Sequence, residues 1–259
     1  MSITRFVEYI DHEKKYSPYT ISAYQKDLSE FKEFCKTEFN TSKIEDVPYS
    51  LIRSWIVDRV ENGLTNRTIN RKISSLKSYY NFLLRTKQIT ESPLRKHQAL
   101  KSEKRVNVPF SEKEIREVLK GFENGDDFES VRDKLIIELL YTTGMRRAEL
   151  IELRNESIDL SQRIVKVVGK RNKERQIPLL ESVVGTIQKY LNLKGEMFPN
   201  ADHLFVTIKG KKIYANLVYR TINDYFGKVS LKVKKSPHVV RHSFATHLLS
   251  EGADLNSVK

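Results

Sequence analysis

The 259 residues include 46 Lys and Arg against 33 Asp and Glu, a formal charge of +13 at pH 7, with 39% hydrophobic and 10% aromatic residues. That composition is too apolar and aromatic for a disordered chain, and the length fits two domains. The single cysteine, Cys35, excludes an intramolecular disulfide and a cysteine-based metal site and fits a reducing, cytoplasmic setting. No apolar run is long enough to read as a signal peptide or a membrane span. The basic excess fits a polyanionic partner, nucleic acid before a membrane surface, although charge alone fits a merely soluble basic protein equally well.

The first hundred residues read as helices. Ser17-Pro18 predicts a helix start, with Ser17 as cap and Pro18 in the first turn. Ile21, Tyr24, Leu28, Phe31 and Phe34 follow at helical spacing. Leu51, Ile52, Trp55, Ile56 and Val60 predict a second helix, ended by Gly63. A third is predicted over residues 66–84, where Ile69, Ile73, Leu76, Tyr80 and Leu83 alternate with Arg67, Arg71, Lys72 and Lys77. One face is then apolar and the other basic, with almost no acid between the cations, as phosphate contact would need.

Pro93 ends this half, and residues 94–109 read as an extended, lysine- and arginine-rich connection that includes Lys104 and Arg105. The expected division is a helical domain over 1–101, a basic linker over 102–109 and a second domain over 110–259. Ser111 and Glu114 carry a capping-box pattern. Residues 131–140 read as a buried helix ending near Thr143-Gly144. Residues 163–168 alternate at period two, Gln176-Ile177-Pro178-Leu179 reads as a second short strand, and residues 169–174 join them as a polar hairpin loop. A further short strand is expected at Leu204-Phe205-Val206, and residues 215–229 and 237–250 read as helices. The fold class is therefore mainly α, a small helical bundle followed by a mixed α/β domain with a small antiparallel sheet.

The chemistry concentrates in three places. Gly144-Met145-Arg146 puts a guanidinium at a helix start, where free backbone amides also favour an anion. Gly169-Lys170-Arg171-Asn172-Lys173-Glu174-Arg175 puts Lys170 on a hairpin tip. His238-Val239-Val240-Arg241 puts an imidazole and a guanidinium on one helix face. Without a metal, phosphodiester transesterification needs fixed cationic donors for the extra charge of the pentavalent transition state, an acid for the leaving 5′-oxygen and a hydroxyl nucleophile. Arg146, His238 and Arg241 fit the first need and Lys170 the second. Each piece alone is ordinary; a lone Arg146 would pair with Glu149 at i,i+3. Their order behind a basic helical domain is what makes them specific.

In that order the chain resembles the tyrosine recombinases of the phage integrase family, of Xer type, over nearly its whole length. Tyr16-Ser17-Pro18-Tyr19-Thr20 and residues 70–76 resemble the family's core-binding domain. Residues 140–146 resemble the first catalytic box, 168–175 the lysine hairpin and 236–249 the second box. The resemblance implies that Arg146, Lys170, His238 and Arg241 are catalytic and that Glu149 supports them. His242 is either a further support or a helix-packing residue, and His247 packs. It also implies contacts to duplex DNA by Arg67, Arg71, Lys72, Lys77, Lys104, Arg105, Arg171, Lys173 and Arg175. Two domains would clamp a recombination site, as part of a tetramer on two sites, with a 3′-phosphotyrosyl intermediate and with neither metal nor ATP. Chromosome dimer resolution or element integration is the implied role.

One departure stands out. The family's nucleophilic tyrosine lies beyond the second box, and so does the segment with which one subunit docks on the next. No tyrosine follows Tyr225 here, and Tyr141, Tyr190, Tyr214, Tyr219 and Tyr225 all precede His238. The expectation is a chain that binds DNA without cleaving it. A non-catalytic DNA-binding regulator on the same scaffold is the alternative reading. A metal-dependent nuclease is disfavoured, because no carboxylate triad or His/Cys ligand spacing is present.

Overall fold

The computed structural model describes residues 2–103, 107–122, 125–169 and 173–254. The chain divides into two units, Met1–Arg105 and Val106–Lys259.

The first unit is helical. α1 (Ser2–Glu8) runs into a π-helical stretch (Tyr9–Glu13). α2 (Pro18–Phe39) starts as the sequence predicts, with Ser17 Oγ accepting the Thr20 amide and Pro18 in the first turn. It stops where Asn40 adopts the left-handed conformation, φ 51°. α3 (Tyr49–Glu61) and α4 (Asn66–Arg85) follow, the latter capped by Thr65 Oγ1 on the Thr68 amide. The apolar faces meet in a core where Trp55 lies edge-on to Phe31, ring centres 5.1 Å apart, beside Leu28, Ile52 and Leu76. Tyr80 is wholly buried and donates its hydroxyl to the Ile44 carbonyl at 2.7 Å.

The segment read as an extended connection from residue 94 is fastened to this bundle as far as Lys101. Leu94 is buried in the core. The Asn70 amide brackets Leu100, donating to its carbonyl at 2.8 Å and accepting from its N–H at 2.9 Å. Asn66 donates to the Lys101 carbonyl.

In the second unit, Ser111 and Glu114 form both halves of the capping box that opens α5 (Glu112–Lys120). α6 (Phe128–Thr143), capped by Asp127, is buried nearly all round, from Val131 to Leu140, and forms the central element. Gly144 ends it at φ 58°, and α7 (Arg147–Glu152) leaves at once in a new direction. β1 (Ile158–Asp159), β2 (Ile164–Val168) and β3 (Glu174–Pro178) pair antiparallel in that order. The β2–β3 register sets Val165 opposite Ile177 and Val167 opposite Arg175.

α8 (Glu181–Met197), α9 (Ala215–Val229) and α10 (Pro237–Ser250) complete the unit, with α8 and α10 packed on α6. α8 was not read from the sequence. Its inner face includes Thr186 and Lys194, and these polar residues break the apolar stripe. Lys194 is satisfied there by the Ala201 and His203 carbonyls and by Asn155. The strand expected at Leu204-Phe205-Val206 is instead a buried connection, held by an isolated bridge from Val206 to Lys212. The unit's beginning is pinned to its last helix: the Phe110 amide donates to Ser243 Oγ at 2.7 Å, and the Phe110 ring stacks on Phe226.

Candidate active site

The end of α6, the start of α7, the inner face of β3 and the first turns of α10 enclose an open pocket of about 550 Å³. Arg146, Arg175, His238 and Arg241 all line it. The left-handed turn at Gly144 brings Arg146 round to the pocket. A side chain at residue 144 would be excluded twice over, by the positive φ and because a Cβ would lie 2.3 Å from the Phe244 ring. Arg241 reaches across to donate to the Gly144 carbonyl, which ties α10 to the same turn.

Glu149 organises the floor. Its side chain is 5% exposed, and its two oxygens accept four hydrogen bonds. Oε1 takes Arg146 Nη1 at 2.9 Å and Arg175 Nη1 at 3.0 Å. Oε2 takes the Arg146 amide at 2.7 Å and Arg175 Nη2 at 2.8 Å. Burial pushes the Glu149 carboxyl up, but the hydrogen bonds from Arg175 and Arg146 outweigh it and hold the pKa at about 2. The backbone amide expected to greet an anion at this helix start is therefore already taken by the chain's own carboxylate. Anion affinity has to come from side chains.

Those side chains carry surplus positive charge. Arg241 is depressed below its ordinary pKa by burial and then by Arg146, with Arg175 adding to the effect. His238 is also held below the ordinary imidazole value, by desolvation first and then by Arg147, Lys234 and Arg241. One carboxylate thus faces three guanidiniums and a neutral imidazole that a bound anion would encourage to take up a proton. His242 lines the same pocket and is exposed. His247 packs as expected, its Nδ1 2.9 Å from the Tyr141 hydroxyl.

Lys170 and Arg171 lie outside the described residues, as do Lys104 and Arg105. The foot of the Lys170 hairpin is described, and the Gly169 amide closes it on the Lys173 carbonyl at 2.7 Å. Two residues expected to contact DNA have partners inside the protein. Lys72 is 6% exposed and sits between Asp27 and Glu30 of α2, not on the outer face of α4. Arg175 gives both arms of its guanidinium to Glu149 and belongs to the pocket. Arg71 keeps a half-exposed side chain but forks onto Asp27 at 2.6 and 2.9 Å. Arg67, Arg71 and Lys77 remain on the solvent face of α4, and Lys173 is exposed on the hairpin.

The pocket role of Arg175 did carry a signal in the sequence. The strand's period of two puts Arg175 on the side of Ile177, opposite the buried Val167, and thus facing inward.

None of the five tyrosines of the second unit, Tyr141, Tyr190, Tyr214, Tyr219 and Tyr225, lines the pocket. Tyr225 stacks on Phe122 at 4.2 Å, Tyr141 meets His247, Tyr190 is buried and Tyr214 accepts from Arg220. No group of His, Cys, Asp and Glu among the described residues could hold a metal ion.

Comparison with known proteins places these features in context. Residues 109–259 match the phage integrase family, and residues 3–87 match the phage integrase N-terminal SAM-like domain. Tyrosine recombinase XerC of Bacillus subtilis (strain 168) is 37% identical over 98% of this chain and 84% of its own length. XerC of Chlorobaculum parvum is 34% identical over 98% of this chain and 83% of its own. Among solved structures, the XerA recombinase superposes with a TM-score of 0.54 at 25% identity, covering 99% of this chain and 87% of that one. The Tn1549 transposon integrase in complex with circular intermediate DNA superposes with a TM-score of 0.76 at 22% identity, covering 99% and 89%, a likeness of fold.

Proposed function

The chain belongs to the phage integrase family of tyrosine-type site-specific recombinases, and on that premise we propose that its pocket cradles the scissile phosphate of duplex DNA. The observation that carries the reading is the surplus of Arg146, Arg175 and Arg241 over the single buried Glu149. In this reading Arg146 and Arg241 bind the non-bridging oxygens and stabilise the charge that grows on them. His238 adds a donor as it protonates beside the phosphate, and Lys170 delivers a proton to the departing 5′-oxygen. In the family's full reaction the attack would come from a tyrosine hydroxyl beyond the second box, leaving a 3′-phosphotyrosyl link that a second strand resolves. The relatives' names and the DNA complex of the Tn1549 integrase support duplex DNA as partner and other recombinase subunits as co-workers. Chromosome dimer resolution or element integration follows as the role. Among the described residues no helix is long and apolar enough to cross a membrane, and a DNA partner puts the work in the cytoplasm.

The 259 residues hold no tyrosine after Tyr225, and none of the tyrosines of the second unit lines the pocket. We read this chain as one that binds its duplex and leaves it uncut. The non-catalytic regulator draws on the same observation. A nicked suicide duplex run with the 259-residue chain on a denaturing gel tests the reading. The expected result is a salt-sensitive complex on a native gel and no SDS-resistant band. A covalent adduct would place the nucleophile among the upstream tyrosines, and a salt-insensitive complex would remove phosphate contact from the account. Adding a tyrosine-bearing C-terminal segment from a XerC relative separates the two readings. The recombinase gains an adduct and the regulator does not.

A further inference from the structure

We propose that Arg175 is a positioning residue for this site: by holding the Glu149 carboxylate from β3, it fixes Arg146 and the foot of the Lys170 hairpin on one support and leaves Arg146 free to donate to a phosphate. The inference rests on the reading of the pocket as a phosphate cradle.

A carboxylate offers about four lone-pair directions, and at Glu149 all four are in use. Arg175 takes two through a planar fork. Arg146 spends one backbone and one side-chain donor, so most of its guanidinium faces the pocket. The chain enters the Lys170 hairpin over the same support. A Cβ built on Gly169 would lie 3.6 Å from both Glu149 Oε1 and Arg175 Nη1. The carboxylate therefore joins the start of α7 to the inner face of β3, and the residue before Lys170 passes close beside both.

The second consequence is electrostatic. An ionised carboxylate beside a phosphate repels it, and here Arg175 cancels that charge. Among the described residues, the charged and titratable groups that line the pocket with Glu149 at its floor are Arg146 ahead of α7, Arg175 on β3, and Arg241, His238 and His242 on α10. Remove Arg175, and Glu149 pulls on Arg146 alone. Burial then acts against a weaker opposition, and the carboxyl titrates at a higher pH than in the intact chain.

The test uses the 259-residue chain, sulfate as the probe and the imidazole resonances of His238 as the readout. Sulfate keeps its double charge across the range titrated. Arg175→Ala is expected to weaken sulfate at pH 7 by about tenfold, the scale of one charge-assisted hydrogen bond. The deficit relative to the unmodified chain should shrink as pH falls through the carboxylate range, because protonating the orphaned Glu149 removes the repulsion. Arg175→Lys, which keeps the charge and loses the fork, should fall between the two. In a Glu149→Gln background, Arg175→Ala should cost less than about twofold. Such coupling and pH dependence would not follow from a merely structural role.

Two results would overturn the proposal: sulfate affinity unchanged in Arg175→Ala, or the same loss whether residue 149 is Glu or Gln. Arg241→Ala tests the parent reading separately. If it retains full sulfate affinity, the pocket is no phosphate cradle. If it loses affinity while Arg175→Ala does not, only the positioning role fails.

Discussion

Each unit buries one carboxylate between two basic side chains, and the two arrangements serve opposite ends. In the first, Asp27 is 1% exposed and accepts from Arg71, Lys72 and Ser75, with Glu30 also on Lys72. Two carboxylates meet Arg71 and Lys72 between α2 and α4, with the exposed Lys26 4.0 Å from Glu30. In the second, Glu149 is nearly as deeply buried but has no second carboxylate to share the guanidiniums on it. Arg146 is 52% exposed at its side chain and Arg175 38%, with Arg241 beyond them. A cluster with a second carboxylate to answer its cations ties helices together; one with a single carboxylate at a pocket wall keeps positive charge to spare for an anion.

The comparison breaks most readily at its carboxylates. Asp27→Ala leaves Lys72 buried with half its partners gone and is expected to cost about 3–5 kcal/mol. The reporter is Trp55, the one tryptophan, buried in that core, followed by fluorescence in urea. Glu149→Ala should cost less, about 1–3 kcal/mol, since Arg146 and Arg175 can turn back to water. Equal losses would erase the distinction between lock and cradle. Next in size is a guanidinium exchange. Arg241→Ala is expected to lower affinity for sulfate or a phosphate ester by about 10- to 100-fold, the value of a hydrogen bond to a charged group. Arg71→Ala, measured in the same titration, should leave that affinity unchanged.

Acid sharpens the comparison further. Both carboxyls have pKa values lowered on folding, Glu149 from 4.5 to about 2. Below its ordinary pKa the unfolded chain binds protons that the native chain refuses, so stability falls with pH in that window. The contribution of Glu149 is complete above pH 4.5 and is lost as pH drops toward 2. Glu149→Gln should flatten the acid limb of unfolding for the second unit and leave the Trp55 transition of the first unaltered.

The smallest expected effect contrasts two lysines on one helix. Lys77 is exposed on α4, so Lys77→Ala should change stability by less than about 0.5 kcal/mol. It should also reduce the salt slope of duplex binding by about one. Lys72→Ala should do the reverse, weakening the fold without touching the slope.

The same lysine shows where sequence reading stops. The caps at Ser17 and Ser111, the amphipathic α4, the Gly144 stop and the β2–β3 pair were all legible, because each is decided by residues within a few positions of one another. Lys72 was misplaced because its acids sit on α2, 45 and 42 residues earlier. Nothing local marks a cation as buried. Arg146 and Glu149 were read as neighbours, three apart, but their hold on Arg175 crosses from α7 to β3. α8 was missed because two of the five residues on its buried face are Thr186 and Lys194, satisfied by hydrogen bonds that only the folded chain supplies, to Glu138 and to the Ala201 and His203 carbonyls.

The bond from the Phe110 amide to Ser243 joins residues 133 apart. Closing a loop of that length costs on the order of 4 kcal/mol of chain entropy before any contact offsets it. Arg146 and Arg175 are translated long before Arg241, yet neither has a pocket to face until α10 seals against α6 and the Phe110 segment. During synthesis the pocket therefore arises all at once, with the final long-range closure of its unit, and a growing chain on the ribosome cannot present it before α10 has emerged.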